Sequence, residues 1–482
     1  MPASDRLTAD VCVIGGGPAG STAAHRLAAH GYNVCLLERE AFPRPRVGES
    51  LPAGILPLLD TLGVRERVEG AGFLRPRAAL VRWAEPSAEE RVHPGPPGLQ
   101  VDRGRFDALL LDGARAAGAR VLQPATVGRR LGDDGKEWTL PIRIAGSHAT
   151  LSARYIVDAT GRGGVVPGRR LRASAPTLAL YGYWRDTAID GPETRVDAGD
   201  REWYWCAPLA GGTVAAAVFV DPKRVSSDRA GDIETLYRDL LARSDLVRGC
   251  LDGELISAVT ACDASCVHAA EPVGDRFIRV GDACFAMDPL SSQGVQSAIV
   301  SGLQAAIVVN TVLARPENAA LAMSFYRDRQ SEKLVRHCQT SARFYAEKAA
   351  MSDQPFWHDR SAGALQLGEA QSATDALAGD CRVGLSDAAE VLDVPAIEGD
   401  FVVSMPGIAH PALDGPMTFL GSTPVKPLLD AMAPDMTADD LIRAWSMLVP
   451  PGDATALMSW LWSRQIIVSS PMPNNDIPRE SC

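Results

Sequence analysis

The sequence predicts an α/β fold in three parts: a parallel sheet wrapped by helices, an antiparallel sheet inserted into it, and a small, mainly α module at the C-terminal end. Three observations predict this. Near the N-terminus the apolar run Val11-Cys-Val-Ile leads into Gly15-Gly-Gly-Pro-Ala-Gly20 and an Ala-rich helical stretch, and Val34-Cys-Leu-Leu-Glu38 follows as a second strand ending in an acid. Residues 176–222 are rich in Tyr, Trp, Val and Thr and are punctuated by Asp190-Gly-Pro and Ala210-Gly-Gly, the pattern of antiparallel strands. Residues 425–432, 437–448 and 454–464 read as short amphipathic helices, the second opening on a Thr437/Asp440 cap, with Ile466-Ile-Val-Ser as a following strand.

The first element is a dinucleotide site. Gly15 allows a tight turn, Gly17 lets backbone approach a pyrophosphate, and Gly20 lets helix pack on strand, while Pro18 and Ala19 begin a helix whose positive end faces the phosphates. Glu38 stands where an acid binds a ribose hydroxyl, with Arg39 beside it. Farther on, Phe277-Ile-Arg-Val280 reads as a strand, Gly281-Asp282 as a turn and Gly294 to Leu313 as an apolar helix. Asp282 can accept from a sugar-chain hydroxyl or simply form the turn. In the loop between, Arg44 and Arg46 can attract a phosphate, a carboxylate or a nicotinamide cofactor, or form a solvated basic turn. Gly48-Glu49-Ser50 is read as opening a helix over 51–63, with Glu49 or Ser50 capping it or reaching the cofactor.

Four motifs in order resemble those of FAD-dependent monooxygenases related to the flavin-dependent halogenases: the glycine-rich turn, Phe42-Pro-Arg-Pro-Arg-Val-Gly-Glu-Ser50, Val101-Asp-Arg-Gly-Arg-Phe-Asp107 with Ile156-Val-Asp-Ala-Thr-Gly-Arg162, and Gly281-Asp-Ala-Cys-Phe-Ala-Met-Asp-Pro-Leu-Ser-Ser-Gln-Gly-Val295. The resemblance implies an FAD-binding Rossmann-like domain of the glutathione-reductase type. It makes Arg103 an FAD contact and adds Pro289, Gly294 and Val295 to the flavin side, with Ser292 and Glu49 as weak catalytic candidates. It also implies O2 as co-substrate, NAD(P)H or a partner flavin reductase as electron source, and a flavin C4a-hydroperoxide that attacks an electron-rich ring.

Trp203-Tyr-Trp205-Cys-Ala-Pro208 is similar to the family's Trp-x-Trp-x-Ile-Pro signature, with Ala207 in place of isoleucine. The halogenases hold hypohalous acid on a lysine, and the corresponding stretch here, Phe73 to Trp83, contains none. Arginine replaces it poorly because a guanidinium stays protonated. Ser291 stands where the tryptophan-type halogenases carry a glutamate. Trp184, Trp203 and Trp205 are the candidate substrate wall, the bland reading of the last two being core residues on one strand face. With the added C-terminal module, the chain is most similar to flavoproteins that form cysteine tryptophylquinone. That resemblance implies hydroxylation of a tryptophan in a partner protein or peptide. The alternatives are a small-molecule phenol or indole monooxygenase or halogenase, and a non-catalytic flavin-binding chaperone.

The expected organisation is a discontinuous FAD domain over 1–82, 99–175 and 270–345, and a substrate-binding sheet over 83–98 and 176–269. A linker or lid over 346–379 and a winged-helix-like module over 380–482 follow. Acids outnumber bases 59 to 48 for a net charge of −11, which disfavours a nucleic-acid or anionic-membrane role. No uninterrupted apolar run of membrane-spanning length and no apolar signal core before the first strand is present, so the expected location is the cytoplasm. Ten cysteines without a framework read as small core residues, and Cys262-Asp-Ala-Ser-Cys266 lacks the second pair of a structural metal site, so no metal is expected. His337 and Cys338 read as surface residues of a charged helix.

Overall fold

The computed structural model describes residues 6–469 except 93–94, 129–130, 228–231, 363–376, 414 and 422. The chain forms two compact units, Met1–Leu365 and Gln366–Cys482.

The first unit is built on a nine-stranded sheet whose parallel centre runs Phe277–Arg279, Ser147–Asp158, Arg6–Ile14, Val34–Leu37, Arg120–Leu122. Val11, Cys12 and Val13 pair with Val34, Cys35 and Leu36 on one side and Tyr155, Ile156 and Val157 on the other. All are buried, as parallel strands covered on both faces must be. The helix Pro18–Ala29 leaves the first strand and packs on the helix Gly294–Ala314. That second helix is long and apolar enough to cross a membrane by length and composition, and 56% of its most apolar stretch is buried inside this unit.

The inserted element is an eight-stranded sheet ordered Glu254–Leu255, Leu178–Arg185, Thr213–Val220, Glu202–Pro208, Thr194–Ala198, Ala78–Arg82, Glu89–Val92, with Thr260–Asp263 also on Leu178–Arg185. Ala78–Arg82 pairs parallel to Thr194–Ala198, so the strand expected around Val81-Arg-Trp83 does belong to this sheet, and the cofactor-domain boundary at 82 must move to before Ala78. The short hydrophobic stretch alone does not say which sheet completes its ladder. Period-two alternation splits the sheet into two cores. Trp203, Trp205, Ala207, Ala215, Ala217 and Phe219 share one face, while Tyr204, Cys206, Val214, Val218 and Trp184 share the other.

Residues 346–361 are not a linker. The long helix Ala319–Ala349 ends within this stretch, the helix Pro355–Ser361 follows it after a short turn, and Trp357 is buried against Trp83 and Phe356. Arg360 fixes this return through hydrogen bonds to Thr177 and the Phe356 carbonyl. The remainder of the expected linker falls mostly on 363–376, outside the described residues.

In the second unit the helices Val425–Asp430, Ala438–Trp445 and Pro451–Ser463 occur close to where periodicity places them. Thr437 and Asp440 form a reciprocal capping box. The mainly α description needs correcting, because Glu390–Glu398 and Phe401–Ala409 form a nine-pair hairpin turning at Gly399, whose φ is +57°. Val383–Leu385 also pairs with Ile467–Ser469. The strand segments carry Pro395 and Pro406, which weaken the alternating signal.

Candidate active site

One cavity of about 820 Å³ in the first unit is bordered by every motif that the sequence singled out for the cofactor. At one end lie Gly15, Gly17, Pro18, Ala19, Glu38 and Arg39; along it lie Arg44, Arg46, Gly48, Glu49, Ser50, Arg103 and Arg162; and Gly281, Asp282, Asp288, Pro289, Ser292, Gly294 and Val295 close one wall. Tyr181, Trp203, Trp205 and Phe219, from the inserted sheet, line it as well.

The nucleotide end follows from local sterics. Gly15 has φ +108°, and a methyl on it would strike the Ala159 carbonyl. Gly20 does not border the cavity; a methyl there would strike the Gly15 carbonyl and meet Ala159 Cβ at 2.9 Å, so its role is the close approach of helix to strand. Gly17 is an N-cap without a side-chain partner, leaving the first N–H groups of Pro18–Ala29 open to an anion. Glu38 is buried, accepts from Gly16 N–H at 2.7 Å and from Glu40 N–H at 2.9 Å, and lies on the cavity wall. Asp158 accepts from the amides of Thr160, Val165 and Val166 and from the Thr160 hydroxyl, which shapes the adjoining turn.

The basic residues fall into different states. Arg103 is held bidentately by Asp107 at 3.0 and 3.1 Å and donates to the Val47 carbonyl, a rigid support for the Arg44–Ser50 loop. Arg46 and Arg39 are exposed and pair with Glu40. Arg44 is buried, and its Nε and Nη1 have no hydrogen-bond partner, the Asp107 carboxylate lying 3.5 Å from Nη1. Burial lowers its pKa, with Asp107 opposing. A desolvated guanidinium with unmet donors beside the open helix end fits a diphosphate.

Glu49 and Ser50 do not open a helix. Ser50–Leu51 is a short strand on Leu99–Gln100, and the helix begins only at Ile55 because Pro52 lies between. Glu49 accepts from Tyr183 Oη at 2.6 Å and Gly48 N–H at 2.7 Å, and its pKa is raised by burial with these bonds opposing. Ser50 Oγ lies 3.1 Å from Thr194 Oγ1, tying the loop to the inserted sheet.

At the opposite wall, Asp282 lies 3.9 Å from Arg162 Nε and borders the cavity. Ser292 takes φ +50°, a left-handed backbone uncommon for serine, immediately before the helix Gly294–Ala314 begins without a side-chain cap. The partial positive charge of this open helix end is suited to holding the electron-rich edge of a flavin ring.

The aromatic assignment is corrected at one residue. Trp184 is fully buried on the far face of the inserted sheet, where its indole N–H donates to Tyr237 Oη at 3.1 Å. The register pairs Trp184 with Val214, which turns it away from the cavity, whereas Tyr181 opposes Ala217 and points the other way. Trp203 is both core and wall: it stacks on Phe219 with centroids 3.6 Å apart and edges onto Trp83. Sequence reasoning missed Tyr181, Phe219 and Cys262 on the cavity, and it missed His337, which is buried rather than exposed. Their signal was the parity of flanking strand residues and a four-residue stripe on the long helix. Among the described residues no lysine borders the cavity.

A family model described as "FAD binding domain" matches residues 8–336. The tryptophan 2-halogenase of Chondromyces crocatus is 30% identical over 392 residues, spanning 76% of this chain and 73% of that one. The chain belongs to the FAD-binding, flavin-dependent halogenase-like family. It is therefore an FAD-dependent oxidoreductase of monooxygenase type. A flavin-dependent halogenase of Armillaria mellea, armH3, is 29% identical over 350 residues, 64% of this chain and 68% of the relative. Among solved structures, the flavin-dependent halogenase CmlS shares the fold at TM-score 0.79 and 22% identity, covering 97% of this chain and 96% of that one. The peptidyl tryptophan dihydroxylase QhpG, described as essential for tryptophylquinone cofactor biogenesis, matches at TM-score 0.70 and 26% identity over 95% and 99% of the two chains.

Proposed function

We propose that this enzyme is an FAD-dependent monooxygenase that hydroxylates an aromatic ring, the tryptophan side chain of a partner protein or peptide. The observation that carries the reading is one cavity lined both by the FAD motifs and by the aromatic residues Tyr181, Trp203, Trp205 and Phe219, with no lysine among its described lining residues. When bound, FAD supplies the activated oxygen, drawing on O2 and on electrons from NAD(P)H or a flavin reductase. Arg44 and the open end of Pro18–Ala29 would hold the diphosphate, Asp282 would take a sugar-chain hydroxyl, and the Pro289–Val295 turn would seat the ring system. The wall orients an electron-rich ring and excludes water, which such oxygen chemistry requires. Ala179, Ala217 and Ala264 line the same cavity with small side chains. Similarity to the peptidyl tryptophan dihydroxylase over nearly both whole chains supports a polypeptide substrate.

A second reading, halogenation or hydroxylation of a small phenol or indole, is favoured by the names of the curated relatives. The two separate in one experiment: reduce the flavin anaerobically, admit O2 with a tryptophan-bearing partner polypeptide and bromide, and measure masses. A gain of one or two oxygen atoms on the tryptophan supports the proposal. An unmodified partner, with added indoles or phenols oxidised or brominated, overturns it in favour of the second reading.

A further inference from the structure

The long helix Ala319–Ala349 contributes no residue to the cavity, yet one of its faces holds both ends of a segment that does. Lys333, His337, Ser341 and Tyr345 recur every fourth position and so form one stripe. His337 Nε2 accepts the Asp288 backbone N–H at 2.9 Å. Tyr345 Oη donates to the Asp288 carboxylate, at 3.1 and 3.3 Å from its two oxygens. One helical turn before His337, Lys333 Nζ reaches the Ser297 carbonyl at 3.5 Å. Between these anchors lie Pro289, Ser292, Gly294 and Val295, all on the cavity wall, with Ser292 in its strained left-handed backbone. The His337 ring also meets Phe285 edge-on at 5.5 Å.

We infer that His337 is a positioning residue for the flavin: as a neutral acceptor it fixes the Asp288 backbone, and with Tyr345 and Lys333 it holds the 288–297 segment in the geometry that receives FAD. An acceptor is needed because the Asp288 amide is buried, and an unmet buried N–H is costly. The ring is suited to it because burial, reinforced by Lys333, lowers its pKa to about 4 and keeps it neutral, and the Asp288 N–H aimed at Nε2 selects the tautomer with the proton on Nδ1. The inference rests on membership of the FAD-binding family and not on the substrate proposed above.

The test is FAD titration of the apoprotein by flavin fluorescence, together with the shape of the bound flavin's visible absorption band. His337→Leu, which removes the acceptor, is expected to weaken FAD binding about tenfold or more and to alter the band, as loss of a buried hydrogen bond predicts. His337→Gln, whose amide oxygen accepts in the same direction, is expected to restore both to near the wild-type values. Tyr345→Phe deletes only the hydroxyl on Asp288 and serves if the leucine variant does not fold; it too is expected to weaken binding. Wild-type affinity and band in His337→Leu, or in Tyr345→Phe where that stands in, overturn the inference. Equal impairment of the Gln and Leu variants also overturns it, since ring packing on Phe285 would then be the cause.

Discussion

At the scale of single residues, the cavity separates groups that look alike in the sequence. Arg44 and Arg46 are two positions apart in a proline-flanked loop, yet one is buried with unmet donors and the other pairs with Glu40 at the surface. Arg44→Met is therefore expected to weaken FAD binding by about 1.5–3 kcal/mol, the range for a charge-assisted hydrogen bond, whereas Arg46→Met changes it little; fluorescence titration of the apoproteins checks both. Trp184 and Trp203 make a second pair. Trp184→Phe loses its bond to Tyr237 and is expected to lower unfolding free energy by about 1–3 kcal/mol while leaving substrate turnover intact; denaturant melts and turnover measured together test the split. The His337 imidazole gives a pH signature. Its pKa is about 4 in the fold, so the unfolded chain, near 6.5, takes up a proton that the fold resists. Its contribution to stability is full above about pH 6.5 and is lost as pH falls toward 4. Asp288, whose pKa burial raises, acts in the opposite sense, so the comparison must be made against His337→Gln. The wild type is expected to lose more thermal stability than that variant between pH 6.5 and 4.5.

At the scale of elements, glycine placement decides more than hydrophobic periodicity does. Gly20 sits where any side chain would collide with the preceding turn, so Gly20→Ala is expected to abolish FAD retention or folding, read as loss of the yellow holoprotein on purification. The capping box of the second unit is of the opposite kind, a local device that costs only its own hydrogen bonds. Thr437→Ala is expected to cost about 1 kcal/mol, read as a lowered melting midpoint of the transition belonging to that unit, with FAD affinity unchanged. Both features were legible from spacing alone. The hairpin of 390–409 was not, because prolines interrupt each strand and its ladder is closed only by the partner strand. The short strand at Ser50–Leu51 was misread as a helix start for a related reason: its two residues acquire strand character from Leu99–Gln100, distant in sequence.

At the scale of the whole molecule, two sheets of different construction meet around one cavity, and the long helix Ala319–Ala349 braces the segment that closes it. The parallel sheet supplies the open end of the helix Pro18–Ala29; the inserted antiparallel sheet supplies Tyr181, Trp203, Trp205 and Phe219 on the cavity. Joining them depends on contacts such as Ser50 with Thr194 and Tyr183 with Glu49, each linking residues more than a hundred positions apart.

By itself the sequence determined the class of fold, the FAD motifs and their order, because strand-turn-helix chemistry and the steric demands of glycine act over a few neighbouring residues. The lack of a lysine between Phe73 and Trp83 was legible there as well. Tertiary structure alone decided which tryptophans face the cavity, that Arg44 rather than Arg46 is desolvated, and that His337 is buried against the Asp288 backbone. The physical reason is common to all three. Strand register, burial and helix packing are set by partners remote in the chain, and a shift of one residue in register carries a side chain from one face of a sheet to the other.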